Sequence, residues 1–539
     1  MTETFVPSEF QRAIYEDVRS GTGHTIIEAC AGSGKTTTLL AALAHVPKGC
    51  TVAFFAFARA IASTLSERAP KGVRVSTLHS HGLWTLGQSE LRFEGLTKDK
   101  TTVLATMLWG APPGRDHPVF DHYKMLSALL DKAKDTLTPA EAGALDELVD
   151  RFGIEAPPDK LYHPEICSQC DRRVAEAEKA DSLCDSGGRK HVFPSLRDCV
   201  RRRDGTYEDM RTPRQLFVEA AVKLLKLSAK RTDMVDFGDM CWLPIQLDLD
   251  PPQYDRVFVD EVQDLSPVQI AFMLRCVKPG GRFCVIGDSR QSLFKFRGAD
   301  EDTIDKLKET LSARVLTLPV SYRCARAIVA LAAQEVPAIV AALGAPEGVV
   351  SFPSLRELAR EARRGDFVIS RSNAPLVGIW FRLVAQKKPA VILGRSDEVF
   401  ALLAFIRGFR CASVPELLSL VEGWRNAERL RLEMKGRSCD WVDDQYASVV
   451  AITRGCLTVR EATGRVRDMF ADPEKVDRSQ FVVLGTTHKL KGLEAERVWM
   501  LDYTYSRTKR EEANCFYVAV TRAKTTLFVT EWADDEGGN

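Results

Sequence analysis

The sequence predicts an α/β protein that contains parallel β-sheets and more than one domain. Seven short apolar runs have the composition of buried strands, and they are Thr25–Ala29, Thr51–Phe55, Arg256–Val259, Arg282–Ile286, Asp366–Ile369, Phe481–Leu484 and Val498–Leu501. Several of these runs precede helical patterns, and such alternation is typical of parallel sheets covered by helices on both faces. A length of 539 residues exceeds what one hydrophobic core normally holds, so we expect several domains.

Two charged segments with mainly helical patterns interrupt this alternation and are expected to be insertions into the α/β domains. The final residues are acidic and rich in glycine, a composition that predicts a disordered tail. The expected limits are 1–85 with 231–318 for the first α/β domain, 86–230 for its insertion, 319–396 with 481–533 for the second domain, 397–480 for its shorter insertion, and 534–539 for the tail.

Composition and charge indicate an ordinary soluble protein. Hydrophobic residues make up 45% of the chain and charged residues 27%, and the formal net charge is only +1. A nucleic-acid partner would therefore have to be bound by a local basic groove. No apolar run is long enough to span a bilayer, and the first ten residues lack a signal-peptide pattern, so we expect a cytoplasmic protein with no membrane partner.

The segment Ala29–Thr36, Ala-Cys-Ala-Gly-Ser-Gly-Lys-Thr, carries the strongest chemical signal. It follows a predicted strand and precedes a predicted helix, which is the setting that a phosphate-binding loop requires. Glycines let backbone N–H groups point at phosphates, Lys35 supplies a charge for the β- and γ-phosphates, and Thr36 supplies a hydroxyl for Mg²⁺. We therefore expect ATP to be bound by Ala31, Gly32, Ser33, Gly34, Lys35, Thr36 and Thr37.

A second predicted strand, Arg256–Val259, ends in two consecutive carboxylates, Asp260 and Glu261. Asp260 is placed to hold Mg²⁺, and Glu261 is placed to activate the water that attacks ATP. Acidic residues at a strand end are also common on protein surfaces, but the phosphate-binding loop favours the catalytic interpretation. The helical insertion accounts for the long separation between Lys35 and Asp260.

A series of motifs along the whole chain resembles the UvrD/Rep-like branch of the superfamily 1 helicases. Besides the two motifs above, the matching segments in order are Gln11, Phe55–Ala62, Ser76–Gly82, Asp260–Gln263, Gly287–Ala299, Ser321–Cys324, Thr486–Glu494 and Phe516–Lys524. Val235–Met240 and Gly344–Gly348 are similar to a compact subgroup of this family. The resemblance implies two RecA-like parallel-sheet domains, each interrupted by a mainly helical insertion.

The resemblance also implies roles for residues around the nucleotide. Gln11 would read the adenine, Gln291 would contact the γ-phosphate, and Arg323 and Arg522 would stabilise transition-state charge as arginine fingers. Further nucleotide contacts would come from Tyr322 and Glu494, although Glu494 could instead couple the site to DNA. A structural salt bridge is the alternative role for each arginine.

Residues that the resemblance places on DNA are Phe57, Arg59, His79, Phe294, Phe296, Arg297 and His488. The phenylalanines are candidates for stacking on bases, and core packing is their alternative role. His79 and His81 are candidates for contacts with DNA phosphates or, equally, for structural histidines. Ala58 and Arg59 replace the Asn-Lys pair that is usual in the family, so the details of that contact are not carried over.

These motifs predict an ATP hydrolase coupled to DNA unwinding, a helicase that moves 3′→5′ on single-stranded DNA in repair, recombination or replication. Expected partners are single-stranded and tailed duplex DNA and an unidentified loading or repair protein, and the expected location is the cytoplasm, with association to the nucleoid in a prokaryotic or phage context. One alternative is a translocase that removes bound proteins and unwinds weakly. Another is a phosphate-loop ATPase that acts as a switch without DNA.

Most of the 14 cysteines stand singly in apolar runs, which is typical of reduced thiols in a reducing compartment. A cluster in the first insertion differs because it begins with the spacing Cys-x-x-Cys. Cys167, Cys170 and Cys184, with Cys199 or His191 as the fourth ligand, could hold a structural Zn²⁺. Free thiols on a solvated loop are the alternative.

Overall fold

The computed structural model describes residues 6–109, 118–154, 183–184, 189–190, 199–201, 207–209, 212–293, 302–394, 396–434, 439–471, 476–506, 508 and 510–530. The α-helices are α1 (Glu9–Ser20), α2 (Lys35–Ala42), α3 (Arg59–Arg68), α4 (Leu78–Gln88), α5 (Lys100–Trp109), α6 (Pro118–Thr136), α7 (Ala142–Phe152), α8 (Pro213–Lys230), α9 (Asp239–Gln246), α10 (Pro267–Arg275), α11 (Thr303–Leu311), α12 (Arg326–Ala332), α13 (Leu355–Glu361), α14 (Ala374–Ala385), α15 (Ser396–Gly408), α16 (Val414–Glu433), α17 (Asp440–Thr453), α18 (Val459–Met469), α19 (Thr487–Leu490) and α20 (Arg510–Val520).

The strands are β1 (Thr25–Ala29), β2 (Val52–Phe55), β3 (Val73–Ser76), β4 (Leu183–Cys184), β5 (Arg189–Lys190), β6 (Cys199–Arg201), β7 (Tyr207–Asp209), β8 (Tyr254–Val259), β9 (Val277–Gly287), β10 (Arg314–Leu318), β11 (Val320–Ser321), β12 (Val340–Ala341), β13 (Val349–Ser351), β14 (Phe367–Ser370), β15 (Ala390–Leu393), β16 (Phe470–Ala471), β17 (Val482–Thr486), β18 (Ala495–Leu501) and β19 (Ala523–Thr530). All seven predicted strands are confirmed by these elements.

The chain forms two compact units. The first unit comprises residues 1–27, 38–287 and 294–316, and the second comprises residues 28–37, 288–293 and 317–539. The phosphate-binding loop falls within the second of these units. The expected domain limits stay a prediction.

The sheet of the first unit has the strand order β10-β1-β9-β8-β2-β3. Its strands β3, β2, β8 and β9 pair in parallel. Because parallel strands end at the same edge of a sheet, the segments after β2, β3 and β8 are brought together there, at the edge where α/β proteins commonly bind ligands. Apolar residues of α5–α8, within the expected insertion, join the core of this sheet.

The second unit contains a seven-stranded sheet of order β13-β19-β18-β14-β17-β15-β16, with parallel pairing throughout. Its two buried clusters lie around the strands, and one of them includes residues of α15–α18 from the second expected insertion. The predicted class, α/β with parallel sheets, is therefore confirmed. In the described part of the chain, no helix combines the length and apolar composition that crossing a bilayer requires.

Candidate nucleotide and DNA site

The phosphate-binding loop connects β1 to α2, which begins at Lys35. Gly32 and Gly34 have φ angles of +73° and +76°, in the left-handed region that glycine adopts without steric cost. A Cβ on Gly32 would also lie 2.6 Å from Arg323 Cβ and 2.7 Å from Ser321 Oγ. Glycine at this position is therefore required both by the backbone conformation and by the segment packed against it.

Two tyrosines of the second unit hold the loop. The Tyr517 hydroxyl accepts a hydrogen bond from Ala31 N at 2.8 Å, and Tyr322 N donates to Gly32 O at 2.9 Å. The Tyr322 side chain itself is 50% exposed. The structure thus brings the predicted phosphate loop and the predicted nucleotide residue Tyr322 together, with an aromatic ring left open to solvent beside them.

Arg323 forms an ion pair with Glu494, with 2.6 Å between Arg323 Nε and Glu494 Oε2. Lys524 Nζ lies 2.9 Å from the other carboxylate oxygen of Glu494. Burial alone would raise the pKa of Glu494, but the hydrogen bond from Lys524 and the charge of Arg323 outweigh it and hold that pKa below its ordinary value. Glu494 is therefore a carboxylate at neutral pH.

Arg522 has different surroundings, because only 1% of it is exposed. Its Nε donates to Val518 O at 2.9 Å, and its two terminal nitrogens donate to Leu493 O and to Thr521 Oγ1, each at 3.2 Å. These contacts tie the end of α20 to the segment before β18. A role as an arginine finger would require some of them to be given up.

Gln291 lies in a short 3₁₀ turn after β9 and is 5% exposed. Its side-chain Nε2 donates to Asp288 Oδ2 at 2.7 Å, and its backbone carbonyl oxygen accepts from Lys491 Nζ at 2.5 Å. Lys491 belongs to a predicted motif but had no assigned role. The contact connects two motifs that are far apart in sequence.

In the first unit, Gln11 is 1% exposed and uses both ends of its amide. Its Oε1 accepts from Ser8 N at 2.9 Å in the capping box of α1, and its Nε2 donates to Thr38 Oγ1 at 3.0 Å. The capping box fixes the side chain at the start of the helix. Its predicted role, recognition of adenine, stays a prediction.

The two carboxylates at the end of β8 occupy distinct positions. Asp260 is 2% exposed and its Oδ1 accepts from Glu261 N at 2.9 Å. Glu261 has a φ of +53°, which is unusual for a non-glycine residue and costs about 1–3 kcal/mol, and such strain is concentrated at functional sites. Gln263 Nε2 donates to Glu261 Oε2 at 2.6 Å, so the predicted base is oriented by its neighbour.

Thr36 and Asp260 are the residues predicted to hold Mg²⁺. A hydroxyl and a carboxylate are oxygen donors of the kind that Mg²⁺ prefers, and Mg²⁺ in phosphate-transfer sites takes few protein ligands because phosphates and water complete its shell. The donor set therefore fits the ion. Among the residues that the structure describes, no group of three or more His, Cys, Asp or Glu side chains is arranged to hold a metal.

On the first unit, an exposed aromatic residue lies beside predicted DNA contacts. Phe237 is 59% exposed, and its ring stacks on His79 with centroids 4.0 Å apart and planes at 21°. Burial, with a further contribution from the charge of Arg59, lowers the pKa of His79 to about 4, so the imidazole is neutral at pH 7. Phe237 lies in the segment Val235–Met240, which predicted no role for it, because no periodic pattern distinguishes an exposed aromatic residue in a turn.

Other predicted DNA residues are more enclosed. Phe57 is half-buried and packs against the core of the first unit. His81 is fully buried among the rings of Phe55, Trp84, Tyr254 and Phe272, which identifies it as a structural histidine. Burial, followed by the charges of Arg371 and Lys491, lowers the pKa of His488 to about 4.

Several predicted residues lie outside the described part of the chain. They are Phe294, Phe296 and Arg297 among the DNA candidates, Cys167, Cys170 and His191 among the zinc candidates, and the tail 534–539. For Cys184 and Cys199 the structure describes only their place in β4 and β6, which form short antiparallel pairs with β5 and β7. The zinc site therefore stays a prediction.

Comparison with known proteins gives two family matches. The UvrD/REP helicase N-terminal domain matches residues 10–312, and the UvrD-like helicase C-terminal domain matches residues 481–530. The first match covers more than half of the chain and includes both the phosphate-binding loop and the Asp260–Glu261 pair.

Individual relatives match over shorter stretches. A putative ATP-dependent DNA helicase, YjcD of Bacillus subtilis, is 30% identical over 112 residues, which is 19% of this chain and 15% of the relative. PcrA of the same organism is 32% identical over 130 residues, 22% of this chain and 17% of the relative. DNA helicase II of Escherichia coli is 28% identical over 102 residues, 17% of this chain and 14% of the relative.

The aligned stretches thus span less than a fifth of each of these relatives, and the family matches carry the assignment. They agree with the loop geometry and with the motif order along the chain. The protein belongs to the UvrD/REP helicase family.

Proposed function

We propose that the protein is an ATP-dependent DNA helicase that moves 3′→5′ along single-stranded DNA and unwinds duplex DNA. The observation that carries the proposal is the packing of the phosphate-binding loop against the segment Ser321–Arg323 within one compact unit. This packing joins a phosphate-binding loop to an arginine and an exposed tyrosine. Family membership supports coupling of this ATPase site to DNA.

The hydrolysis chemistry is assigned to a small set of residues. When bound, ATP and Mg²⁺ supply the transferable phosphoryl group and neutralise part of its charge. Lys35 holds the phosphates, and Glu261, oriented by Gln263, accepts a proton from the attacking water. Arg323 stabilises the charge that develops on the γ-phosphate, an effect worth about 10³–10⁵ in rate for arginine fingers.

Glu494 gives Arg323 an alternative anionic partner. Moving the guanidinium from this carboxylate to a phosphate exchanges one charge-assisted contact for another, so the movement requires no uncompensated burial of charge. Lys524 remains beside Glu494 when Arg323 leaves, which keeps the carboxylate paired. Nucleotide binding is thereby linked to the segment that carries Glu494.

The DNA contact is assigned to the surface formed by Arg59, His79 and Phe237. The exposed face of Phe237 is available to stack on a base, which is worth roughly 1–3 kcal/mol per base and tolerates any sequence. Arg59 is exposed at the start of α3 and can contact the DNA backbone. Neutral His79 supports the Phe237 ring and does not act as a cation.

The expected substrates are single-stranded and tailed duplex DNA, and the expected processes are repair, recombination or replication in the cytoplasm. A loading or repair partner belongs to the same proposal, as does Mg²⁺ held by Thr36 and Asp260. The relatives YjcD and PcrA are named as ATP-dependent DNA helicases, the first as a putative one, which supports this class of substrate. The structural zinc is a separate proposal that rests on cysteine spacing alone.

ATP hydrolysis measured with and without single-stranded DNA tests the proposal. The wild-type protein is expected to hydrolyse ATP faster when DNA is present. Glu261→Gln should bind ATP normally but lose turnover by about 10²–10⁴-fold, since it lacks the base. Lys35→Ala should lose both binding and turnover because it removes a phosphate contact.

Glu309→Gln, at an exposed position of α11, is the matched control and should behave as wild type. Wild-type hydrolysis that does not respond to DNA would contradict the helicase proposal and favour the ATPase switch. Normal turnover by Glu261→Gln would show that another residue is the base.

A further inference from the structure

Four charged side chains form a buried cluster in the first unit. Lys100, Lys134 and Asp239 have no exposed area, and Asp236 is 7% exposed. Lys100 is the first residue of α5 and Lys134 lies on α6, both within the expected insertion. The two aspartates enclose the dipeptide Phe237-Gly238, just before and at the start of α9. The cluster therefore connects the insertion with the turn that carries the exposed aromatic ring.

Each carboxylate is held from two directions. Lys134 Nζ lies 2.7 Å from Asp236 Oδ2 and 2.8 Å from Asp239 Oδ1. Lys100 Nζ lies 2.7 Å from Asp239 Oδ2 and also donates to Ser228 O at 2.8 Å. Within the turn, Asp239 N donates to Asp236 Oδ1 at 2.8 Å, and Asp236 N donates to Asp239 Oδ2 at 3.1 Å. These contacts fix the positions of both ends of the turn.

The backbone on either side of the turn is also fixed. Val235 O accepts from Thr97 N at 2.7 Å, next to a parallel bridge between Leu96 and Val235. On the other side, a Cβ on Gly82 of α4 would lie 1.9 Å from Met240 O, so α4 and α9 approach closely. The backbone is therefore restrained on both sides of the turn, and the charged cluster determines the conformation that remains between these two points.

The cluster packs directly against the residue that follows Phe237. A Cβ on Gly238 would lie 3.1 Å from Lys134 Cδ and 3.4 Å from Asp236 Oδ1. Phe237 itself is mostly exposed, so burial contributes little to setting the direction of its ring. His79 supports one face of the ring, and the backbone of the turn must fix the rest of its orientation.

The hydrogen bonds between these charged groups are directional, whereas apolar packing in the same place would not be. Two lysines and two aspartates have opposite charges that cancel, which limits the cost of burying them. Buried ion networks are often no more stable than apolar side chains of the same volume, whereas hydrogen-bonded ions define the positions of their partners. The defined geometry that these charges give to the turn explains why charged side chains occupy this buried position.

We propose that Lys134, through Asp236 and Asp239, is a positioning residue that holds Phe237 in the orientation in which its exposed face stacks on a DNA base. Lys100 extends the same cluster to α5 and α8, so the helical insertion and the DNA contact are mechanically linked. The inference rests on the proposed function, because it requires single-stranded DNA as the ligand of this surface.

A double-mutant cycle tests whether Lys134 acts through Phe237. The variants are Lys134→Met, Phe237→Ala and the two combined, and the readout is the affinity for a fluorescein-labelled oligothymidylate by fluorescence anisotropy. Each single variant is expected to weaken binding about tenfold, the size of one lost base stack. The double variant should bind no more than about twofold more weakly than Phe237→Ala, since the ring that Lys134 positions is already absent. Losses that add fully in the double variant would overturn the inference.

The matched control is Arg282→Met, which breaks another buried ion pair of the first unit, that of Arg282 with Asp17 at 3.1 Å. It should lower the melting temperature as Lys134→Met does but leave oligothymidylate affinity within about twofold. An equal loss of affinity in this control would show a general effect of destabilisation and overturn the inference. Asp236→Asn, which keeps the shape of the side chain, gives a second cycle with Phe237→Ala and the same expected result.

The outcomes separate this inference from the proposed function. If Phe237→Ala binds oligothymidylate normally while the wild type binds it, the positioning role is overturned but a DNA-binding protein remains. If the wild type binds no oligothymidylate, the proposed function fails and the inference fails with it.

Discussion

Arg323 and Arg522, two residues assigned to the same chemical task, lie in contrasting surroundings. The Arg323 side chain is about one-fifth exposed and contacts a carboxylate that can be exchanged for a phosphate. Arg522 is enclosed and donates to backbone carbonyls of its own unit. The geometry therefore favours Arg323 as the residue that acts on ATP, and it indicates a partly structural role for Arg522.

Arg323→Ala is expected to lower DNA-stimulated ATP turnover by at least about 10³-fold, the lower limit for an arginine finger, and to lower the melting temperature less than Arg522→Ala does, because it loses one backbone hydrogen bond, to Thr521 O, and a partly exposed ion pair. Arg522→Ala is expected to lower both, because its hydrogen bonds hold α20 against the segment before β18. Steady-state kinetics and thermal unfolding of the two variants check this. Equal loss of melting temperature in both variants would contradict the assignment.

His81 predicts a specific dependence of stability on pH. Burial, with a smaller contribution from Arg74, lowers its pKa from the ordinary 6.5 to about 4 in the folded protein, although the hydrogen bond to Pro252 O acts in the opposite direction. The unfolded chain therefore binds a proton near pH 6.5 and the folded protein does not. The stability that depends on neutral His81 is complete above pH 6.5 and is lost as pH falls towards 4.

The expected loss from His81 between pH 7 and pH 5 is about 2 kcal/mol of unfolding free energy. Urea denaturation at both pH values measures it, and His81→Gln removes this titration. The variant should be less stable than wild type at pH 7 but should lose about 2 kcal/mol less on acidification. The same pH dependence in wild type and variant would exclude His81 as its source.

At the scale of elements, the crossing of α4 and α9 places the DNA-contacting surface. The approach is close because Gly82 has no side chain, and its Cβ would overlap Met240 O at 1.9 Å. Helix α4 carries His79, and helix α9 begins at Asp239, just after Phe237. The separation of the two helices therefore sets the distance between the stacked rings. A glycine in mid-helix is normally unfavourable, and packing explains it here.

Gly82→Ala is expected to lower the free energy of unfolding by about 3 kcal/mol, the upper end of the range for overpacking. The reason is that the added Cβ would force the backbone at Met240 to move. Gly87→Ala on the same helix is the control, since nothing lies within 4 Å of its added Cβ and alanine is the better helix former. Chemical denaturation should show the opposite sign for the two variants. A stability change of the same sign and size would contradict the close crossing.

Seven strands of the two sheets could be predicted from sequence because parallel strands buried on both faces form continuous apolar runs, whereas β3, β10, β13, β15, β16 and β19 were not predicted. Val482–Thr486, for example, is buried at every position. The beginning of β9, Val277–Gly281, was missed because these residues are half-buried or exposed and include Pro279 and two glycines. Periodicity detects burial, so a strand end outside the core leaves no signal.

The candidate site could be predicted in part, for a related reason. The phosphate loop requires glycine and lysine at fixed spacing, so the sequence itself displays the chemistry. The pairing of Arg323 with Glu494 and the enclosure of Arg522 depend on contacts distant in sequence. Phe237 gave no signal because its importance lies in being exposed, and the charges that hold its turn are spread between Lys100 and Asp239.

At the scale of the whole molecule, the residues assigned to ATP are distributed over both compact units. Gln11, Asp260 and Glu261 belong to the first, and Lys35 and Arg323 belong to the second. The residues assigned to ATP therefore come from segments spread along most of the sequence, and the proposed activity is best measured on the whole chain.

The most direct test of the central claim is strand displacement on partial duplexes that carry either a 3′ or a 5′ single-stranded tail, with ATP and Mg²⁺ present. We predict that the wild type releases the shorter strand from the 3′-tailed duplex and that Lys35→Ala releases none. Displacement of bound protein from single strands without strand release would favour the translocase alternative. Efficient unwinding from the 5′ tail alone would contradict the proposed direction of movement.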